Sequence, residues 1–224
     1  ARRRDLTSRI DRTAVIRPGD ILGFSTVRNE AIRLPWFLDH HRKLGIAQFL
    51  IVDNASDDGT AEYLRAQPDV SLWTTEASYK ASRFGVDWLT WLQMRHGHGH
   101  WCLTLDADEL LIYPYWQTRP LPALTGWLDT QGRDSFGALT VDMYPEGPVS
   151  QGGHQPGDDP ITHLPYFDSG NHQVQVQPRM GVAALLQIDQ HRAAIGLHDE
   201  VAGVGVERDE AARGPLGAVR VGLK

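Results

Sequence analysis

The sequence predicts an α/β domain: a mostly parallel sheet with helices on both faces. Three observations point there. Short apolar runs rich in β-branched residues alternate with segments whose apolar residues recur at helical spacing. One run, Phe49-Leu50-Ile51-Val52, is apolar throughout, as a strand covered on both faces requires. Polar, acidic clusters follow three of the runs, and the carboxyl ends of parallel strands share one edge, where open α/β sheets bind ligands. With 224 residues the chain is long enough for one such domain plus a short appendage.

Taken in order, Ile21–Val27 (ILGFSTV) reads as the first strand. Residues 28–44 follow with Ile32, Trp36, Phe37 and Leu44 at helical spacing. Pro35 suits a first helical turn, where its missing N–H costs nothing, and Gly45 suits the C-terminal cap. Residues 49–52 make the second strand, 53–59 (DNASDDG) a turn, and 60–67 a short helix stopped by Pro68-Asp69. Residues 70–74 are a third strand. Residues 79–95 predict a helix carrying Phe84, Trp88, Trp91 and Leu92 inward. Residues 101–105 are a fourth strand. A helix around 123–130, a strand over 138–143 and a Gly/Pro-rich lid loop over 145–160 complete the ordered pattern.

From residue 181 the composition changes. No Trp, Tyr or Phe follows Phe167. The expected organisation is an N-terminal extension over 1–19, a main domain over 20–180, and a weakly packed or disordered appendage over 181–224 with a truncated end.

An apolar fraction of 41%, a charged fraction of 22% and a net charge of −6 describe a globular chain and argue against nonspecific nucleic-acid binding. No run reaches the length of a transmembrane helix. The single cysteine, Cys102, allows no intrachain disulfide and is expected to be buried. A cytoplasmic location fits. Arg2-Arg3-Arg4 is the feature that would meet an anionic inner membrane face.

The chemistry lies in the edge clusters. Asp106-Ala107-Asp108, directly followed by Glu109, closes the fourth strand. Carboxylates at i and i+2 of a strand face one way and suit Mg²⁺ or Mn²⁺, which also grips a diphosphate. Asp53-Asn54, with Asp57-Asp58-Gly59-Thr60 beyond them, follows the second strand; a carboxylate there can accept hydrogen bonds from a base or ribose. Asp58-Gly59-Thr60 also reads as a helix cap. Arg28-Asn29-Glu30 follows the first strand, where a helix start can meet phosphates. The run His96-Gly97-His98-Gly99-His100 reads as a flexible loop.

The string FSTVRNEAIRLPWFLDHHRKLGIAQFLIVDNASDDGTAEYL resembles the start of a family 2-type glycosyltransferase with the GT-A fold, and WCLTLDADELLIYP resembles that family's DxD segment. VRNE, VDNxSxDGT and LDADE together are similar to a bacterial family 2-like subgroup. The resemblance covers residues 20–114 and extends loosely to 170. It implies a nucleotide-sugar donor, a UDP-sugar above others, and a Mn²⁺ or Mg²⁺ cofactor. Thr26, Arg28, Asn29 and Glu30 would line the nucleotide pocket with Asn54 and Asp58, and Asp53 would bind the base. Asp106 would face ribose or metal, Asp108 would be the principal metal ligand, and Arg83 would meet the diphosphate. Inverting transfer needs a general base from the second half of the fold, for which Asp168 and Asp142 are the candidates. His163, His172 or His198 would be a late metal ligand. The acceptor, whether glycan, lipid-linked or protein, is unspecified. Two other readings stand beside this one: a degenerate domain that binds nucleotide or partners without catalysis, and a sugar nucleotidyltransferase. The second lacks its Gly-rich phosphate loop, because residues 25–30 contain no glycine.

Overall fold

The computed structural model describes residues 3–147, 155–168, 194–196 and 218–223. Its first sheet has five strands: β1 (Thr7–Ile10), β2 (Ile21–Val27), β3 (Ile46–Asp53), β4 (Val70–Thr74) and β5 (Cys102–Thr104), in the order β1-β4-β3-β2-β5. β4, β3, β2 and β5 run parallel, and β1 closes the β4 edge antiparallel. The parallel strands therefore lie in the order third, second, first, fourth. The chain winds outward from β2 on one side, then returns to its other side. That reversal makes the carboxyl ends of β2 and β5 the topological switch point.

The winding follows from which side chains each strand turns to which face. Ile21 and Val27 of β2 join Phe49 and Ile51 of β3 against α1 (Leu34–Leu44), α2 (Thr60–Ala66) and α4 (Leu121–Thr130). Leu22 and Phe24 join Leu50 and Val52 against α3 (Val86–His96), whose Trp88, Leu89 and Leu92 are buried. A strand covered on both faces has no room for polar alternation, hence the unbroken apolar run in β3. Each such buried side chain contributes roughly 1.5–3 kcal/mol.

A second sheet follows. β6 (Glu109–Ile112), β7 (Ala138–Tyr144), β8 (Tyr166–Asp168), β9 (Ala194–Gly196) and β10 (Ala218–Leu223) lie in the order β6-β10-β7-β8-β9. β10 runs between β6 and β7, antiparallel to the first and parallel to the second. β6 is tied to the first sheet's helices by two buried histidines on α1. His40 Nε2 donates to the Leu111 carbonyl at 3.0 Å, and the Leu111 N–H donates to His41 Nε2 at 3.3 Å. His41 Nδ1 in turn donates to the Phe37 carbonyl at 2.7 Å, which fixes its tautomer.

Several expectations are corrected. The first helix starts at Leu34, not at 28, because residues 28–33 are held by the loop after β3. Pro35 and Gly45 take the places predicted, Gly45 with φ 108° and its N–H on the Arg42 and His41 carbonyls. The third helix starts at Val86, because residues 79–85 form a 3-10 turn and then three successive left-handed residues, Arg83, Phe84 and Gly85. Phe84, expected inward, is 63% exposed. Cys102, expected buried, is exposed on β5, its Sγ 3.7 Å from the Gly97 carbonyl. β1 and β6 carried no strand prediction. Most of 181–224 lies outside the described residues, as do 148–154 of the lid loop.

Candidate functional site at the carboxyl edge of the first sheet

The loops after β2 and β3 are laced together before any ligand arrives. Asn29, at φ 56°, donates its backbone N–H to Ser56 Oγ at 2.9 Å. Its side chain donates to Asp57 Oδ1 and accepts the Asp57 N–H, both at 2.9 Å. The Glu30 N–H reaches Thr60 Oγ1 at 2.8 Å and the Ala31 N–H reaches Asp58 Oδ2 at 3.1 Å. Asp58 Oδ1 also accepts the Thr60 N–H at 3.0 Å, so this carboxylate serves two loops. Burial pushes the Asp58 carboxyl up, but the bonds from Thr60 and the Ala31 N–H outweigh it, and the net shift is downward. Three of the residues expected to meet a nucleotide, Asn29, Asn54 and Asp58, thus already hold protein groups. Asn54 donates to the Thr75 and Ala77 carbonyls, 3.1 Å each.

Asp53 ends β3 and is only 3% exposed. Its Oδ1 accepts both the N–H and the hydroxyl of Ser56, the latter through a very short hydrogen bond. Arg28, one residue past β2, is exposed and makes no hydrogen bond or ion pair among the described residues. It stands at the switch point with its guanidinium uncommitted.

The carboxylate cluster follows β5, the strand that pairs with β2. β5 ends at Thr104, and residues 106–109 form a tight turn in which the Glu109 N–H returns to the Asp106 carbonyl at 3.0 Å. The expected strand alternation therefore gives way to a turn between β5 and β6. Ala107 and Glu109 are buried, Asp106 is exposed and Asp108 half-buried. Glu109 turns inward, accepting the Asp106 N–H at 2.8 Å. It holds the turn and is not a third outward carboxylate.

Two neighbours define the surroundings of the pair. Glu30 is half-buried and bonded to Arg33 at 2.8 Å. Burial raises its carboxyl above the ordinary range; Arg33 pulls it back, and the charges of Asp108 and Asp58 push it further up. Tyr79, from the loop after β4, is raised chiefly by burial and then by the charges of both Asp106 and Asp108. The charge of Asp108 thus acts on both Glu30 and Tyr79, and that of Asp106 on Tyr79.

Gly85 fixes where Tyr79 stands. At φ 79° it lies so close that a Cβ would fall 2.8 Å from Thr26 Oγ1 and 3.1 Å from Tyr79 Cε2. The Thr26 hydroxyl is buried and without a hydrogen-bond partner among the described residues. Arg83 is committed elsewhere: its Nε donates to Asp87 Oδ1 at 2.6 Å along α3. Tyr79 and Gly85 had escaped notice because the helical spacing of 79–95 absorbed them. The glycine interrupting that pattern was the available signal.

The remaining candidates lie on the second sheet and in loops; through Gly222 of β10, Asp142 shares a register row with Glu109 of the carboxylate turn. Asp142 is half-buried on β7, opposite Gly222 of β10, and Asp168 ends β8 opposite Ala194 of β9. Both belong to the second sheet. His163 faces Asp158 at 3.3 Å, and His172 and His198 lie outside the described residues. His100 donates to the Asp20 carbonyl at 2.9 Å, a loop-closing bond.

No protein-family model matches the chain, and no curated protein matches it. The functional reading therefore rests on the residues themselves. Among the described residues no group of three or more His, Cys, Asp or Glu could hold a metal ion. Two carboxylates on a turn do fit a cation that keeps water and takes its other ligands from substrate phosphates, as Mg²⁺ does. No described helix is long and apolar enough to cross a membrane.

Proposed function

We propose that this chain is a GT-A-type glycosyltransferase that moves a sugar from a nucleoside-diphosphate donor to an acceptor hydroxyl. The observation that carries the reading is the Asp106–Asp108 turn that follows β5, at the switch point β5 shares with β2, the strand that the uncommitted Arg28 follows. Open α/β sheets bind nucleotides at such a point.

Each residue then has a task. Asp106 and Asp108 would hold Mn²⁺ or Mg²⁺, which neutralises the charge that develops on a departing diphosphate. Arg28 meets the phosphates as a fixed cation. Asp53 keeps one carboxylate oxygen on Ser56 and turns the other to the base. Glu30 and Tyr79 flank the carboxylate pair, and the Tyr79 phenol, kept protonated, donates to an oxygen of the ligand. The general base that takes the acceptor proton comes from the second sheet, with Asp142 and Asp168 the candidates. One observation favours the non-catalytic alternative: Asn29, Asn54 and Asp58 spend their hydrogen-bonding capacity within the fold, leaving fewer groups for a donor.

Calorimetric titration of UDP with and without Mn²⁺, on the wild type and on Asp108→Ala, tests the assignment. The expected result is Mn²⁺-dependent binding weakened about tenfold or more in the variant, the loss of a charge-assisted ligand. Binding that ignores both metal and substitution refutes the metal role. Hydrolysis of UDP-sugars by the same samples separates an enzyme from a binder.

A further inference from the structure

The side chains of β7 divide sharply between the two faces of its sheet. Val141 and Met143 are buried, and Met143 belongs to a cluster with Trp36, Ile161, Leu164 and Phe167 of β8. Successive residues of a strand point to opposite faces, so Thr140, Asp142 and Tyr144 stand on the other one. Thr140 is exposed, and Asp142 and Tyr144 are half-buried. Tyr166 of β8, also half-buried, lies directly opposite Tyr144, and the two rings stack with centroids 6.1 Å and planes 27° apart. Cross-strand aromatic pairs steady a sheet. Met143 and Phe167, however, are opposite one another as well and already clamp these strands from the packed side. The tyrosines add a second ring surface, partly open to solvent, on the face that carries Asp142.

The register ties this face to the carboxylate turn. Asp142 pairs with Gly222 of β10, and Gly222 pairs with Glu109 of β6. Residues in one row across a sheet share a face. Glu109 takes the Asp106 N–H, so the row begins at the turn that carries Asp106 and Asp108. Two strand spacings separate Glu109 from Asp142, about 10 Å, and Tyr144 lies about 7 Å from Asp142 along β7. Glycine at 222 puts no side chain between the two carboxylates. One face therefore carries, in order, the carboxylate turn, an open position, a carboxylate and a stacked ring pair.

We propose that Tyr144 and Tyr166 form the acceptor subsite and that the acceptor is a carbohydrate, a pyranose seated by one of its C–H faces on the tyrosine rings. This rests on the transferase reading. A sugar ring has an apolar C–H face and a rim of hydroxyls, which suits aromatic rings beside a carboxylate and a threonine. A prenyl chain would need an apolar strip, and in β7 the buried apolar side chains, Val141 and Met143, go to the packed side. Asp142 is then the base, and Asp168, one strand further from Glu109, is not. The Asp142 carboxylate takes the proton of the acceptor hydroxyl as that oxygen bonds to the anomeric carbon. The bond from that carbon to the diphosphate oxygen breaks, and its electron pair leaves with the diphosphate.

Saturation-transfer NMR on the full chain with UDP and Mn²⁺ present tests the subsite. The probes are the methyl β-glycosides of glucose, galactose and N-acetylglucosamine, with farnesyl phosphate and a serine-containing peptide as the other acceptor classes. Saturation is expected at the ring protons of a glycoside and at neither alternative. Tyr144→Ala and Tyr166→Ala should each weaken it about tenfold, the worth of a stacked ring. Tyr144→Phe and Tyr166→Phe should keep it, and Trp127→Ala, at an exposed aromatic on α4, should leave it unchanged. Asp142→Asn should keep glycoside and UDP binding and lose transfer from UDP-sugars; full transfer in that variant removes Asp142 as the base. Calorimetry with UDP and Mn²⁺ on the same samples separates the two readings, and unchanged UDP binding in the tyrosine variants shows that they fold. UDP binding without saturation of any glycoside overturns the acceptor proposal, as does saturation of farnesyl phosphate or the peptide instead, or equal loss in Trp127→Ala. Glycoside saturation without UDP binding upholds the saccharide site and removes the transferase reading.

Discussion

His41 is neutral in the folded chain because burial removes water from its ring and both nitrogens already have backbone partners. Its pKa is pushed down to about 3 by burial, and then by the neighbouring His40, against an ordinary value of 6.5. His40 is lowered as well, again by burial first. The sign follows directly. Between 6.5 and about 3 the unfolded chain takes up a proton that the folded chain refuses. Stability is therefore full above 6.5 and falls as pH drops through that window, by at most about 1.4 kcal/mol per pH unit for one such group. Urea unfolding at a series of pH values should show this decline. His41→Gln should flatten it while lowering stability at neutral pH by about 1–3 kcal/mol, the cost of weakened buried hydrogen bonds. An unchanged pH slope in that variant would remove His41 as the cause.

At the scale of elements, the junction between α1 and the turn before β4 depends on one guanidinium. Arg42 Nε and one terminal nitrogen hold both oxygens of Asp69, at 2.7 and 2.6 Å, and the same nitrogen reaches Gln67 Oε1 at 3.0 Å. Lysine keeps the charge and loses the fork. Arg42→Lys should cost about 1–2 kcal/mol by chemical denaturation, since the pair is only partly shielded. A variant as stable as the wild type would show the fork to be incidental. The elements themselves were largely legible. β2 and β4 start and stop where their apolar runs do, because both are covered on two faces and local composition decides them. The starts of α1 and α3 were not legible. Residues 28–33 and 79–85 have helical spacing, but tertiary hydrogen bonds from Ser56, Asp57, Asp58 and Thr60 hold the first, and left-handed residues packed on Thr26 break the second.

At the scale of the whole molecule, the candidate site was legible only as a convergence. A parallel sheet had to bring residues 28–30, 53–58 and 106–108 to one edge, and it does. Which members stay available to a ligand was not legible, because lacing between two loops depends on their distance in space. Apart from β7, expected over 138–143, the second sheet escaped the sequence reading for a related reason: β10 pairs with β6 and β7 from more than seventy residues away in sequence. Its place yields a sharp expectation. In β6, Leu111 turns both backbone groups to the histidines of α1, so Leu110 and Ile112 turn theirs toward β10. Deleting residues 218–223 should abolish hydrogen-exchange protection at Leu110 and Ile112 and spare Leu111. Uniform loss across β6, or none, would show that β10 does not hold this strand.

The two histidines on α1 have one more consequence. β6 is the outermost strand of its sheet, and the backbone groups on its open side are the kind that recruit strands from other molecules. Here a helix fills that role with imidazoles, and imidazoles titrate. Acid that charges the His41 ring takes away the acceptor for the Leu111 N–H and leaves a strand edge uncovered. Exposure of this strand edge is thereby coupled to pH, and charging of the His41 ring is the event that would open β6 to a strand from another copy.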